Sequence, residues 1–447
     1  MTAGRAHPGA GDAVRQVDAM AAEAGRQADA MAAEADRQVD AMAAEADRLL
    51  ADADRALAAG YPGPRSGRQP VHTVYVPADR FKAGLAAQWG RQALKALETF
   101  APGPVEFGAA MGLPAALAAD VRSRVLAKLI AEPIEDLRLD FEDGYGVRGD
   151  DAEDADVRCA AACLAAEISA GAAPARCGLR CKSLELGTRR RAIRTLDGFL
   201  AELLSHGPLP DGFVVTLPKV TSPDQVTAMV RLCERLEQAH DVDTGKLVFE
   251  VQVETPQVIL GADGTMTVAR CVHAGGSRLT GLHYGTYDYS AALGIAAHRQ
   301  SMEHPVADYA RAVMQVAAAG TGVRLSDGSS NVVPEGSRDQ VIGAWEQHAR
   351  LVRRSLDRGY YQGWDLHPAQ LASRYAATFG FFTAGLATAA TRLRGYLERA
   401  GGPVLEEPAT ARALAGFLAR GLDCGAVTEP ELGELAGLDR AGLDALR

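Results

Sequence analysis

VFEVQVETP (residues 248–256) alternates strictly for six residues, reaches a carboxylate and is then cut off by Thr255-Pro256. Period-2 alternation predicts a strand with Phe249, Val251 and Val253 on one face and Glu250, Gln252 and Glu254 on the other. Taken alone, that is the pattern of an ordinary surface strand. Its reading changes because other apolar runs in the chain also end on charged residues. Predicted strands fall at 73–77, 137–143, 177–182, 213–219, 247–254, 279–284, 322–325 and 360–366. Helical stretches lie between them, at 114–131, 154–170, 188–205, 222–239 and 338–358. Pro114 suits the first helical position, where its missing N–H has no intrahelical partner to lose. Eight strands alternating with helices over about 300 residues predict an α/β chain folded as a (β/α)8 TIM barrel.

Outward from the barrel, residues 15–58 carry an 11-residue repeat: RQVDAMAAEAG, RQADAMAAEAD, RQVDAMAAEAD and the degenerate RLLADADRALA. Its less polar positions, from Val17, Met20 and Ala24 to Leu50, are spaced 3-4-4, a period that keeps a stripe nearly straight along a helix. Glu23–Arg26, Glu34–Arg37 and Glu45–Arg48 are i,i+3 pairs, each contributing a few tenths of a kcal/mol. The expected organisation is a helical repeat extension (1–59), a linker (60–70), the barrel (71–375) and a C-terminal helical lid or extension (376–447). The alanine-rich helix reads as an aid to homo-oligomer formation or as a dispensable extension.

A net charge of −10 argues against a general nucleic-acid binder and against an anionic membrane surface. No stretch approaches the roughly 20 apolar residues of a membrane span, and the N-terminus has no signal-peptide pattern. Seven cysteines, an odd number, read as reduced thiols in a cytoplasmic protein. Cys177 and Cys181 would share a strand face, but no second Cys/His pair has zinc-like spacing.

In such a barrel, chemistry gathers where the strands end. Strand two ends on Asp140-Phe-Glu142-Asp143, strand three carries Arg180 and Lys182, and strand four runs to Lys219. Strand five ends at Glu254, strand six leads to Asp288, and strand eight to Asp365 and His367. Charges so placed must neutralise one another, bind a metal or await an ionic ligand. Lys219 with Asp143 would make a structural ion pair. Glu254 and Asp288 on neighbouring strands suit a hard divalent ion, Mg²⁺. His283 and His367 read as hydrogen-bonding or packing residues rather than ligands.

These residues also carry a resemblance. VYVPADR (74–80), LDFEDGYG (139–146), LRCKSL (179–184), LPKV (217–220), VETP (253–256), HYGTYDYSAALG (283–294) and GYYQGWDLHPAQ (359–370) occur in family order. Together they resemble the HpcH/HpaI aldolase and citrate lyase β-subunit-like family of phosphoenolpyruvate/pyruvate-binding barrels. The resemblance implies a metal-dependent carbon–carbon lyase or aldolase acting on a small 2-oxo acid, or its acyl-CoA adduct, through a metal-chelated enolate. It implies Glu254 and Asp288 as ligands of Mg²⁺, or of Mn²⁺ in its place. Arg180 is implied as the contact to substrate oxygens, with Lys182 and Lys219 beside it. Asp140, Glu142 and Asp143 would order water around the metal, and Asp143 joins Arg180 among the catalytic candidates.

LPKVTSPDQV (217–226), GLHYGTYDYS (281–290) and LEEPATA (405–411) are also similar to malate synthases, which condense glyoxylate with acetyl-CoA. There, Glu407 would stand where the family has a catalytic aspartate, as a general base on a closing lid. A non-catalytic barrel scaffold, which would bind no Mg²⁺, is the reading from a different class.

Overall fold

In the computed structural model, residues 10–398 and 407–446 are described. The eight strands are β1 (His72–Pro77), β2 (Asp136–Asp140), β3 (Arg176–Arg180), β4 (Phe213–Leu217), β5 (Val248–Val253), β6 (Leu279–Tyr284), β7 (Arg324–Ser326) and β8 (Gly363–Asp365). All pair in parallel in the order β7-β6-β5-β4-β3-β2-β1-β8. A single parallel bridge, Ser326 to Gln362, joins the two ends and closes the sheet, with Asp327 N donating to Gln362 O at 2.8 Å. This is the (β/α)8 barrel that the alternation of strands and helices predicts.

The faces of β5 sort as its alternation requires. Phe249, Val251 and Val253 are wholly buried on the side away from the barrel interior. Glu250 lies inside, where it meets Arg138 of β2 (3.1 Å), Thr216 of β4 (2.6 Å) and His283 of β6 (2.9 Å). His283 Nδ1 accepts from Trp364 Nε1 at 3.2 Å, so its proton sits on Nε2 and is donated to Glu250. Arg138 is also paired with Asp136. In this buried layer Arg138 offsets the carboxylates in part and hydrogen bonds hold the rest, and it fills the barrel below the rim.

Several boundaries differ from the sequence expectation. β2 ends at Asp140 and β4 at Leu217, so Glu142, Asp143 and Lys219 belong to the loops that follow. Pro114 is the N-cap, with extended ψ of 139°, and the helix begins one residue later as Ala115–Ala131. Two helices absent from the sequence reading, Leu85–Phe100 and Pro104–Met111, lie between β1 and that helix.

The chain forms two compact units that meet in sequence at Pro62 and Gly63. The first unit holds one helix, Ala10–Gly60, whose hendecad residues Val17, Met20, Met31, Val39 and Met42 are exposed. Arg26–Glu23 and Arg37–Glu34 pair along it as spaced. In the second unit, the helix Gln370–Leu397 packs with Pro408–Cys424 through Phe381 and Phe382 against Phe417. Among the described residues no helix is long and apolar enough to cross a membrane.

Candidate metal centre at the carboxyl rim

Parallel strands place all their C-terminal ends at one rim. There Glu254, one residue beyond β5, turns inward and is buried. Gly285, just past β6, makes room for it: a Cβ at that position would lie 2.5 Å from Glu254 Cβ. Asp143 reaches the same point from the loop after β2, and Asp288 from the first turn of the helix Thr286–Ala292. One oxygen from each of Asp143, Glu254 and Asp288 lies within 4.8 Å of the other two.

Lys219 stands among them. Its ammonium is 2.8 Å from Asp143, 3.0 Å from Asp288, 3.4 Å from Glu254 and 3.5 Å from Glu142. Its backbone has φ of 52°, left-handed and unusual for a residue with a side chain. That turn also aims its N–H at Glu254 Oε1, 2.7 Å away. Such conformations cost about 1–3 kcal/mol and persist where surrounding contacts over-determine them.

Electrostatics follow from four carboxylates around one ammonium. Burial pushes Glu254 up to about 8; Lys219 opposes the shift, and the neighbouring charges of Asp288 and Glu142 add to it. Burial likewise raises Glu142 to about 7 against the pull of Arg180 and Lys219. Asp143 is lowered: burial works against ionisation there, but its hydrogen bond and attraction to Lys219 win. The rim is short of positive charge.

Arg180 borders this cluster. Its Nε and Nη2 each donate to Asp140 at 2.7 Å, and Nη1 donates to Gln252 at 3.2 Å and faces Glu142 at 3.4 Å. Tyr75 lies against the guanidinium, 4.9 Å from ring centroid to Cζ. Asp140 also accepts from the backbones of Glu142 and Gly144 at 2.9 and 2.8 Å. It is therefore the clamp that positions Arg180.

The rim thus gathers Glu254, Asp288, Asp143, Glu142, Lys219 and Arg180, with Asp140 behind. One expected member, Lys182, stands elsewhere. Lys182 spends its ammonium on Glu153 (2.7 Å) and on the carbonyl of Phe141 (2.8 Å), both buried contacts. A lysine one alternation past Arg180 is free to bend out to the helix Asp150–Ser169, and Glu153 draws it there.

Glu407 is the exposed N-cap of Pro408–Cys424. Arg420 and Asp423 of that helix line a cavity with Arg65 and Arg324, where the strands begin. Glu407 lies thirteen residues before Arg420 along that helix. Leu405 and Glu406 of the same motif lie outside the described residues.

His283 is satisfied inside the barrel, as described above, and His367 pairs with Glu335 at 2.9 Å. Gln252 was not among the sequence candidates. It donates to Glu254 while accepting from Arg180, so it links the acid cluster to the cation. Its place two residues before Glu254 on the inward face was the available signal.

Oxygens around one octahedral Mg²⁺ stand about 3–4 Å apart, given metal–oxygen distances near 2.1 Å. The spread of Asp143, Glu254 and Asp288 is close to that with small side-chain rotations, and carboxylates are the donors a hard cation takes. The residues fit the ion.

Fold and rim together define a (β/α)8 barrel with a carboxylate cluster suited to a divalent cation. The chain belongs to the DUF6986 family, a domain of unknown function, whose family model matches residues 50–447. No curated protein is significantly similar in sequence. Among solved structures, it is similar to the Mycobacterium tuberculosis citrate lyase β subunit complexed with oxaloacetate and magnesium: 17% identity over 69% of this chain and 96% of that one, TM-score 0.40. It is also similar to Haloferax volcanii malate synthase in a magnesium/glyoxylate complex: 14% identity over 86% of this chain and 99% of that one, TM-score 0.47.

Proposed function

We propose that this chain is a Mg²⁺-dependent enzyme that makes or breaks a carbon–carbon bond beside the carbonyl of a small 2-oxo acid. The observation that carries the reading is the convergence of Asp143, Glu254 and Asp288 on one point, next to a clamped arginine. Glu254 and Asp288 would hold the cation, with Asp143 beside them. When bound, such a cation supplies Lewis acidity that polarises a carbonyl.

The chain's own residues supply the rest. Asp140 and Gln252 fix the guanidinium of Arg180, whose Nη1 edge borders the cluster and can spread the negative charge that grows on an enolate oxygen. Lys219 adds a second cation at the same place. The buried position of Glu254 and Arg180 keeps water away from both, which strengthens each attraction.

The test is turnover of 2-oxo acids with small aldehydes, in both directions, with and without excess EDTA. Activity should vanish in chelator, return with added Mg²⁺ and be lost in Glu254→Gln. Unchanged rates in chelator would refute the metal role.

A further inference from the structure

The helix Pro305–Ala318, between β6 and β7, is apolar on two sides. Its inner face carries Ala307, Ala310, Met314 and Ala318, all buried, as a helix packed on a barrel requires. Its charges are spent away from solvent as well. Arg311 is buried and pairs with Asp327 and Asp308, and Asp308 also meets Arg354 (2.7 Å) and Arg358 (2.6 Å) near the end of the helix Arg338–Asp357.

The outer face is of another kind. Pro305, Tyr309, Ala312, Val316 and Ala319 are exposed and follow one another at spacings of four, three, four and three, the last of them at the C-cap. Val306 and Val313, half-buried, lie beside them. Tyr309 is 50% exposed and Val316 80%. No charged residue falls on this stripe. Four-three spacing is the pattern by which one helix seats against another, and the inner face alone already covers the barrel.

Neighbouring elements widen the surface. Pro256–Ile259, Thr267–Gly275 and Thr286–Ala292 all pack against this helix. Leu260, Met266 and Leu293, which cap them, are exposed too. An apolar face left in water in this way marks a surface that another molecule covers.

The charge pattern says which molecule. The chain has a net charge of −10, with 23% of its residues charged, so two copies repel over most of their surfaces. They meet without opposing like charges only where charge is missing, and this stripe is such a place. A basic partner would instead be met by carboxylates. A helix that lies on a membrane flanks its apolar stripe with Lys and Arg, which this one lacks.

We infer that the outer face of Pro305–Ala318 docks on the same face of a second copy of this chain, across a two-fold axis. Tyr309 and Val316 lie on either side of Ala312 and Val313. Ala312 therefore comes near its own counterpart whether the paired helices run parallel or antiparallel. A standard interface takes roughly 800 Å² from each partner, more than one helix of this length supplies, and Leu260, Met266 and Leu293 add to it. The contact is independent of the rim and of the activity proposed for it.

The test is the mass of the full chain, read by light scattering after size exclusion. The unaltered chain should run as a dimer or a multiple of one. Val316→Glu and Tyr309→Glu each press a carboxylate into the partner's apolar face, and each should halve that mass. Ile130→Glu, at a residue 72% exposed on the helix Ala115–Ala131, should leave it unchanged. Circular dichroism melting checks that each variant is folded. Ala312→Cys, in the otherwise unaltered chain, should give a disulfide-linked dimer in air with copper phenanthroline, beyond what the parent chain with its exposed Cys159 reaches. A monomeric parent chain, an unchanged mass in either folded glutamate variant, or no added cross-link through position 312 would overturn the assignment. Should both glutamate variants fail to fold, the cross-link decides.

Discussion

At the residue scale the account turns on Lys219. Its ammonium sits where a cation ligated by Asp143, Glu254 and Asp288 would feel all three charges. The lysine and a divalent ion therefore compete for the same oxygens. Lys219→Met should tighten Mg²⁺ binding by about tenfold, worth roughly 1.4 kcal/mol, as read by calorimetry. Weaker binding would mean that the lysine helps to build the site. The pairing of Lys219 with Asp143 was legible from sequence, because opposite charges follow strands two and four at the same rim. The four-way contact was not, since it depends on a left-handed backbone at Lys219 that no residue-type preference announces. Glu254 was legible for the opposite reason: alternation fixed its face, and the Thr-Pro break fixed its place at the strand end.

At the scale of elements, the strands were read closely because each couples a short apolar run to a charged terminus. β6 falls at the predicted residues, and β5 is shorter than predicted by one residue at each end. The destination of the C-terminal helices could not be read that way. It is decided by Phe417 against Phe381 and Phe382, and by Arg124 reaching Glu431 at 3.1 Å, contacts far apart in sequence. The local motif around Glu407 holds none of those contacts, and it does not announce that Glu407 is an exposed N-cap. Glu407→Gln should accordingly change kcat/KM for the rim reaction by less than about twofold, within the small range of surface substitutions. A hundredfold loss would show that the helix reaches a rim after all.

Across the whole molecule, the barrel is filled and braced by buried charge, which ties stability to pH. Glu250 and Asp365 are held below the ordinary carboxylate range: burial raises both, but Arg138 and His283 for Glu250, and Arg374 with His348 for Asp365, outweigh it. Glu135 is lowered too, by Lys128 and Arg68 against the effect of burial. A carboxylate whose folded pKa is depressed stabilises the fold fully above its unfolded value, near 4, and loses that contribution as pH falls towards the folded value. Urea midpoints should therefore drop between about pH 4.5 and 2. Glu254 and Glu142, raised instead, act in the opposite sense and at higher pH, so they do not mask the acid limb. A midpoint that stays flat down to pH 3 would contradict the assignment of these pairs. The same balance orders the molecule from end to end, with acids at the rim where strands finish and arginines at the floor where they begin.

The most direct test of the rim is titration of the metal-free chain with Mg²⁺ by calorimetry, beside Glu254→Gln. The arrangement of Asp143, Glu254 and Asp288 predicts one saturable site per chain, weakened at least tenfold in the variant. No binding, or equal binding by both proteins, would contradict it.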